Sequence, residues 1–270
     1  MKERLDVLLV NKGYFPSREK AKSAIMAGEV LIEGRVFDKP GMSVDEEAEI
    51  QVKGDTCPYV SRGGLKLEKA LKEFDIDLSG AVCMDIGAST GGFTDCMLQN
   101  GASKVYAFDV GYGQLDYKLR SDSRVVNVER CNFRYFDDRE LIQEDVVFAS
   151  IDVSFISLKH IFPVCSQLIS ENAKVCALIK PQFEAGREQV GKKGIVKDKD
   201  VHIEVISNVI DYAKACDLHP IGLSFSPITG TKGNIEYLIC LNKGGDLGYN
   251  ISVEDIVDTV NISHEEHDIK

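Results

Sequence analysis

No stretch of this chain approaches the run of ~18 apolar residues that a membrane-spanning helix needs. Its start, Met1-Lys2-Glu3-Arg4-Leu5-Asp6, is charged and has no apolar signal core. Both absences lead to the expectation of a cytoplasmic protein without membrane contact. The eight cysteines, at 57, 83, 96, 131, 165, 176, 216 and 240, include no Cys-x-x-Cys pair. That excludes a zinc knuckle, and cysteines such as Cys83, Cys176 and Cys240, set in apolar runs, read as reduced core residues. No metal is expected. Also missing is the Gly-x-Gly-x-x-Gly of dinucleotide enzymes, which counts against hydride transfer. No Gly-Lys-Ser or Gly-Lys-Thr follows a glycine loop, so this is no P-loop protein.

What is present is an ordinary soluble composition, with 28% charged and 44% hydrophobic residues over 270 positions. A net charge of −11 argues at first against a nucleic-acid partner. Much of it sits in the tail from Asp246 to Lys270, whereas Lys12–Lys22 and Lys180–Lys199 are locally basic. Local patches decide backbone contact more than the sum does.

Residues 1–57 read as a separate unit. Leu5, Leu8 and Leu9 recur at helical spacing, and Ser17 is a candidate N-cap for a helix burying Ala21, Ala24 and Ile25. Strands are expected at 29–32, 35–37 and 48–52, the first two joined by a hairpin at Gly34. Residues 58–63 read as a linker and 64–245 as the main domain, with 246–270 as an acidic tail, a short helix or disorder.

The main domain alternates strand and helix, which implies a mostly parallel sheet covered on both faces. Strands are expected at 81–86, 104–109, 125–128, 145–152, 173–180, 220–226 and 234–241, and helices at 64–74, 92–100, 157–169 and 199–217. Between the last two strands there is no room for a helix, so they should be antiparallel.

The first of these strands ends at Asp85, followed by Ile86-Gly87-Ala88-Ser89-Thr90-Gly91-Gly92-Phe93. Glycines at such a turn let backbone approach a ligand closely. Asp109, then Val110, ends the next strand, where an acid can take the ribose hydroxyls of an adenosine-bearing ligand. This pattern points to S-adenosylmethionine as cofactor. Four further residues, Lys66, Asp152, Lys180 and Glu236, fall at predicted element boundaries around the same crevice. A surface salt bridge is the ordinary role of any one of them alone. Together, two lysines and two carboxylates can make a base. The methyl acceptors that need a Pro-Cys pair or an Asn/Asp-Pro-Pro-Tyr/Phe element find neither here.

Tyr59–Leu67, Asp85–Phe93, Asp152–Leu158, Lys180–Glu184 and Gly233–Glu236 together resemble the TlyA family, ribosomal RNA 2′-O-methyltransferases often labelled hemolysins. The resemblance runs from residue 1 to about 243. It implies a Rossmann-like class I methyltransferase domain of FtsJ type, α/β with an antiparallel last strand, preceded by a small α+β S4-type RNA-binding domain. It carries a Lys-Asp-Lys-Glu catalytic set onto Lys66, Asp152, Lys180 and Glu236. Lys180 is then the base, Lys66 the neighbouring cation, and the two acids orient them. A free lysine titrates near 10.4 and is no base at neutral pH. Burial and a second cation lower that value and the carboxylates oppose the change.

Where many methyltransferases place an acid to hold adenine, this chain has Asn132 followed by Phe133, so these two are the expected adenine contacts. Expected RNA contacts are Arg4, Arg18 and Lys22 in the first domain, then Arg62, and Arg187, Lys192 and Lys193 in a glycine-containing loop expected to act as a mobile lid. The partner implied is ribosomal RNA or a ribosomal subunit, with cytidine the implied nucleotide and the small subunit the expected one. Oligomeric state is open. Two rival readings stand beside it, a noncatalytic RNA-binding module and a pore-forming hemolysin.

Overall fold

The computed structural model describes residues 2–15, 17–52, 57–245 and 250–267, and the chain divides into two compact units, Met1–Cys57 and Pro58–Lys270.

In the first unit the leucine spacing produces α1 (Leu5–Asn11), preceded by β1 (Lys2–Arg4), and Ser17 starts α2 (Arg18–Met26) by accepting the Lys20 N–H through its hydroxyl. Strands β2 (Val30–Ile32), β3 (Arg35–Phe37) and β5 (Ile50–Val52) form an antiparallel sheet in the order β3-β2-β5. Glu33 and Gly34 both take positive φ, 49° and 74°, the geometry a two-residue hairpin demands. A second pair, β1 with β4 (Ser43–Asp45), had no signal in the sequence because its residues are polar apart from Val44. Leu5, Leu9, Ala21, Ile25 and Val30 close a core of their own.

The second unit follows the expected alternation: α3 (Gly63–Glu73), β6 (Val82–Ile86), α4 (Gly92–Gln99), β7 (Lys104–Phe108), α5 (Tyr117–Arg120), β8 (Val125–Val128), β9 (Phe148–Ile151), α6 (Phe162–Leu168), β10 (Lys174–Ile179), α7 (Pro181–Glu184), α8 (Lys199–Lys214), β11 (Leu218–Phe225), β12 (Tyr237–Lys243) and α9 (Val253–Glu266). The seven strands stand in the order β11-β12-β10-β9-β6-β7-β8. Only β12 runs against its neighbours, pairing antiparallel with both β10 and β11. This is the Rossmann-like methyltransferase architecture.

The strand order decides where chemistry can occur. From β6 the chain moves to β7 and β8 on one side, then returns to β9 and β10 on the other, so a crevice opens at the carboxyl ends of β6, β7 and β9. Because β12 is reversed, its first residue, Tyr237, lies opposite Ile179 at the end of β10. Residue 236 therefore reaches the same edge as residue 180, though 56 positions separate them in sequence.

One segment differs from expectation, and a second resolves an open one. Residues 58–62 are packed into the second unit: Tyr59 is buried and its hydroxyl donates to Glu68, while the Val60 N–H donates to Asp95. The acidic tail holds α9, started by a Ser252–Asp255 capping box and anchored by Ile256 and Val260 in the main core. Of the two outcomes expected for the tail, this is the helix, amphipathic through apolar positions four residues apart. Positions 246–249 and 268–270 of that tail lie outside the described residues. Among the described residues, no helix is long and apolar enough to cross a membrane, and no group of three or more His, Cys, Asp or Glu side chains could hold a metal ion.

Candidate active site

Lys66, Asp152, Lys180 and Glu236 come together in one ion-paired chain. Lys180 Nζ lies 2.5 Å from Asp152 Oδ1, Asp152 Oδ2 lies 3.9 Å from Lys66 Nζ, and Lys66 Nζ donates to Glu236 Oε2 at 2.6 Å. Lys180 Nζ also donates to Ser154 Oγ at 3.2 Å. The two lysines and Glu236 are buried and Asp152 is partly exposed, so solvent screens this network little.

Each member is placed by its element. Asp152 and Lys180 follow directly on the neighbouring parallel strands β9 and β10, and the reversed β12 brings Glu236 beside them. Lys66 sits in the first turns of α3, which packs closely against α4. A Cβ on Gly92 would lie 2.9 Å from Gly64 N, and a Cβ on Gly64 would lie 2.6 Å from Tyr59 Cβ. Larger residues would push α3, and Lys66 with it, away from the carboxylates.

The glycine loop forms the floor. Gly87 has φ 91°, and a Cβ there would lie 2.6 Å from the Asp152 carbonyl oxygen. Two adjoining cavities open beside it. One, of about 200 Å³, is lined by Ser61, Gly87–Thr90, Phe93, Ser154 and Lys180. The other, of about 470 Å³, has apolar walls from Phe108, Phe133, Val153, Ile156 and Ile161, with Asp109, Asn132 and Ser89 among its polar groups. An apolar slot beside a polar one fits a molecule with an adenosine at one end and a charged amino acid at the other.

The expected cofactor residues divide. Gly87, Ala88, Ser89, Gly92, Phe93, Asp109, Val110, Asn132, Phe133 and Asp152 line one cavity or the other. Asp85 does not, and this corrects the sequence reading. Its side chain is wholly buried, with Oδ2 accepting from Thr94 Oγ1 at 2.6 Å and Oδ1 from Ser150 Oγ at 3.0 Å. Burial pushes its carboxyl up to about 6, against the pull of those two hydroxyls. Gly91 faces Leu115 and Leu119 instead of a cavity. Asp109 spends hydrogen bonds on the Ser89 and Gly111 N–H groups, at 2.8 and 2.6 Å, so it shapes the loop as well as facing the cavity. Asn132 Oδ1 accepts the Arg134 N–H at 3.3 Å.

Of the expected RNA contacts, Arg4, Arg18, Arg62, Arg187, Lys192 and Lys193 are exposed and Lys22 is half-buried. The loop foreseen as a lid is pinned: Val196 is fully buried, its N–H donates to Asn234 Oδ1, and Asn234 Nδ2 donates to Gly194 O. Its basic tip lies before that anchor.

Residues not singled out from sequence also shape the site. Ser61 lines the polar cavity. Phe155, 90% exposed with φ 63°, leans on Phe183 with ring centroids 4.9 Å apart. Glu184 accepts from Ser157 Oγ at 2.6 Å and Leu158 N at 2.8 Å, tying the turn after Lys180 to the loop after Asp152. Burial pushes its carboxyl up, opposed by those bonds. All lie inside the segments that carried the family resemblance, but their side-chain types alone announce no chemistry.

Family models agree with this geometry: the FtsJ-like methyltransferase model matches residues 59–243 and the S4 domain model residues 3–50. The chain belongs to the TlyA family. A relative in Mycobacterium tuberculosis, the 16S/23S rRNA (cytidine-2′-O)-methyltransferase TlyA, is 41% identical over 90% of this chain and 91% of its own length. A Bacillus subtilis (strain 168) protein provisionally named an rRNA methyltransferase, YqxC, is 53% identical over 98% and 95% of the two chains. A solved structure from Streptococcus thermophilus, provisionally named a hemolysin, superposes with a TM-score of 0.80 at 48% identity, covering 99% of this chain and 97% of that one. The second unit is thus a methyltransferase domain and the first an S4 domain.

Proposed function

We propose that this TlyA-family enzyme methylates the ribose 2′-hydroxyl of a cytidine in ribosomal RNA, using S-adenosylmethionine and Lys180 as general base. The observation that carries this reading is the buried chain Lys180–Asp152–Lys66–Glu236 beside a cavity suited to an adenosine. A protein that only bound RNA would have no use for two lysines buried next to a cofactor-sized cleft.

Bound there, S-adenosylmethionine supplies an electrophilic methyl group. Phe133, Asn132, Asp109 and Val110 would hold its adenosine, and Ser61 with the Gly87–Phe93 loop its amino-acid end. The chain's own residues must orient and deprotonate the acceptor. Lys180 Nζ takes the proton from the 2′-oxygen as that oxygen gains the methyl. Asp152 and Ser154 fix the Nζ position, and Lys66, held by Glu236, keeps the Asp152 carboxylate in place. Base assistance of this type contributes ~10²–10⁴ in rate. The exposed Phe155 ring at the cavity mouth offers a face on which an unstacked base can rest.

The RNA partner is supported by the S4 domain with Arg4, Arg18 and Lys22, and by the exposed Arg62, Arg187, Lys192 and Lys193. The reading sets the enzyme's work in the cytoplasm, with the ribosomal subunits. The name of the M. tuberculosis relative covers both subunit RNAs, so restriction to the small subunit has no support from it. The test is methyl transfer from labelled S-adenosylmethionine to each isolated subunit, followed by nuclease digestion and mass spectrometry. The expected product is 2′-O-methylcytidine; label in a base, or in neither subunit, contradicts the reading.

A further inference from the structure

We infer that Asp6 is a positioning residue that holds Arg4 and Arg18 together as one clamp for RNA phosphates. The inference rests on the RNA-binding reading of the first unit and goes beyond it by naming what organises the contact.

Asp6 lies in the first turn of α1 and its side chain has no exposure to solvent. Two guanidinium groups from different elements converge on it. Arg4, the residue that precedes α1, donates from Nε to Oδ1 at 3.0 Å and from Nη2 to Oδ2 at 3.3 Å. Arg18, the first residue of α2, donates from Nη2 and Nε to Oδ2 at 2.8 and 3.3 Å. Each guanidinium carries five N–H donors in a rigid plane, and Asp6 takes two from each. Both arginine side chains stay 52% exposed. Lys22 stands one turn further along α2.

A buried acid with two half-exposed arginines is a poor device for stability alone, since apolar residues of similar size usually serve as well or better. For phosphate recognition it is apt. Fixing two planar forks in advance removes the rotamer entropy that long basic side chains otherwise lose on binding. One acid against two arginines still leaves the cluster cationic. The hydrogen bonds from Arg4, then those from Arg18, hold the Asp6 carboxyl down at about 2 despite its burial, so it stays ionised at physiological pH.

The test exploits a sign. Removing an acid from an RNA-binding face should strengthen binding by simple electrostatics. Filter binding of the full chain to isolated small and large ribosomal subunits, over a range of salt, would compare wild type, Asp6→Asn and Glu19→Gln. Glu19 is an exposed acid on α2 next to Arg18. The expected result is unchanged or tighter binding for Glu19→Gln and about tenfold weaker binding for Asp6→Asn, with a shallower salt dependence. Cofactor binding should be equal in all three. Binding by Asp6→Asn as tight as wild type, or tighter, overturns the inference. If Asp6→Asn does not fold, Arg18→Lys replaces it, because it keeps the charge but cannot make the two-point contact. The same weakening is expected there, and wild-type affinity overturns the inference. Wild-type protein that binds neither subunit would refute the RNA-binding reading itself, an outcome separate from any effect of the variants.

Discussion

Lys180 Nζ stands 2.5 Å from Asp152 Oδ1, the two residues following neighbouring parallel strands at the edge where the cofactor cleft opens. An ammonium in that position is held firmly but cannot accept a proton. As a base, Lys180 must therefore give one up before the acceptor hydroxyl does.

Lys66 and Glu236 support it from behind. Replacing Lys66 by Ala leaves Glu236, only 3% exposed, as a buried charge without its cation. The expected loss is ~3–5 kcal/mol of stability. Combining Lys66→Met with Glu236→Leu should recover most of that loss yet remain inactive. Denaturant unfolding of the three proteins checks this; a Lys66→Ala protein within about 1 kcal/mol of wild type would show that the pair bears no structural weight.

Gly87 fixes where Asp152 stands. A Gly87→Ala side chain would meet the Asp152 carbonyl oxygen at 2.6 Å from a backbone at φ 91°. Strain of ~1–3 kcal/mol is expected, together with weaker cofactor binding and lower turnover. Calorimetry with S-adenosylmethionine and a melting curve give both numbers, and unchanged values in both would contradict the role assigned to the loop.

Two buried groups titrate in opposite senses. Burial holds Asp85 up at about 6 against an ordinary 3.8, so its contribution to stability is complete below 3.8 and is lost as pH rises through about 6. Burial holds His202 down at about 4 against an ordinary 6.5, so its contribution is present above 6.5 and is lost as pH falls through about 4. Between these limits the two slopes oppose each other in the wild type. Asp85→Asn removes one of them, and its Tm should fall more steeply than the wild type's from pH 6.5 to 4. Parallel Tm curves for the two proteins would refute the assignment.

Phe155→Ala removes the exposed ring at the cavity mouth. Base–aromatic stacking is worth ~1–3 kcal/mol per base, so KM for the RNA should rise about tenfold or more with cofactor affinity unchanged. Steady-state kinetics on the modified subunit decide it, and an unchanged KM would remove Phe155 from the acceptor site.

Much of the site could be read in advance because parallel strands end where ligands bind. Asp109, Asp152 and Lys180 each close an apolar run, so their place at one edge followed from periodicity. Glu236 needed more, since its arrival there depends on the reversal of β12, which the short 227–233 connection implied. Asp85 misled for a local reason. It also closes an apolar run, but Thr94 and Ser150 turn its carboxyl inward, and no pattern in one dimension reports a hydrogen bond across 65 residues. The tail left a short helix and disorder both open, because acidic residues surround Ile256 and Val260, the two that anchor α9. The exposed face of Phe155 was equally hidden, since an aromatic after a strand ordinarily belongs to the core.

The most direct test of the central claim is single-turnover methyl transfer by wild type and Lys180→Ala, with S-adenosylmethionine affinity measured on the same preparations. The account predicts unchanged cofactor affinity and a rate lowered by ~10²–10⁴. A Lys180→Ala enzyme that binds cofactor normally and transfers methyl at a rate near wild type would contradict it, because Lys180 could then not be the base.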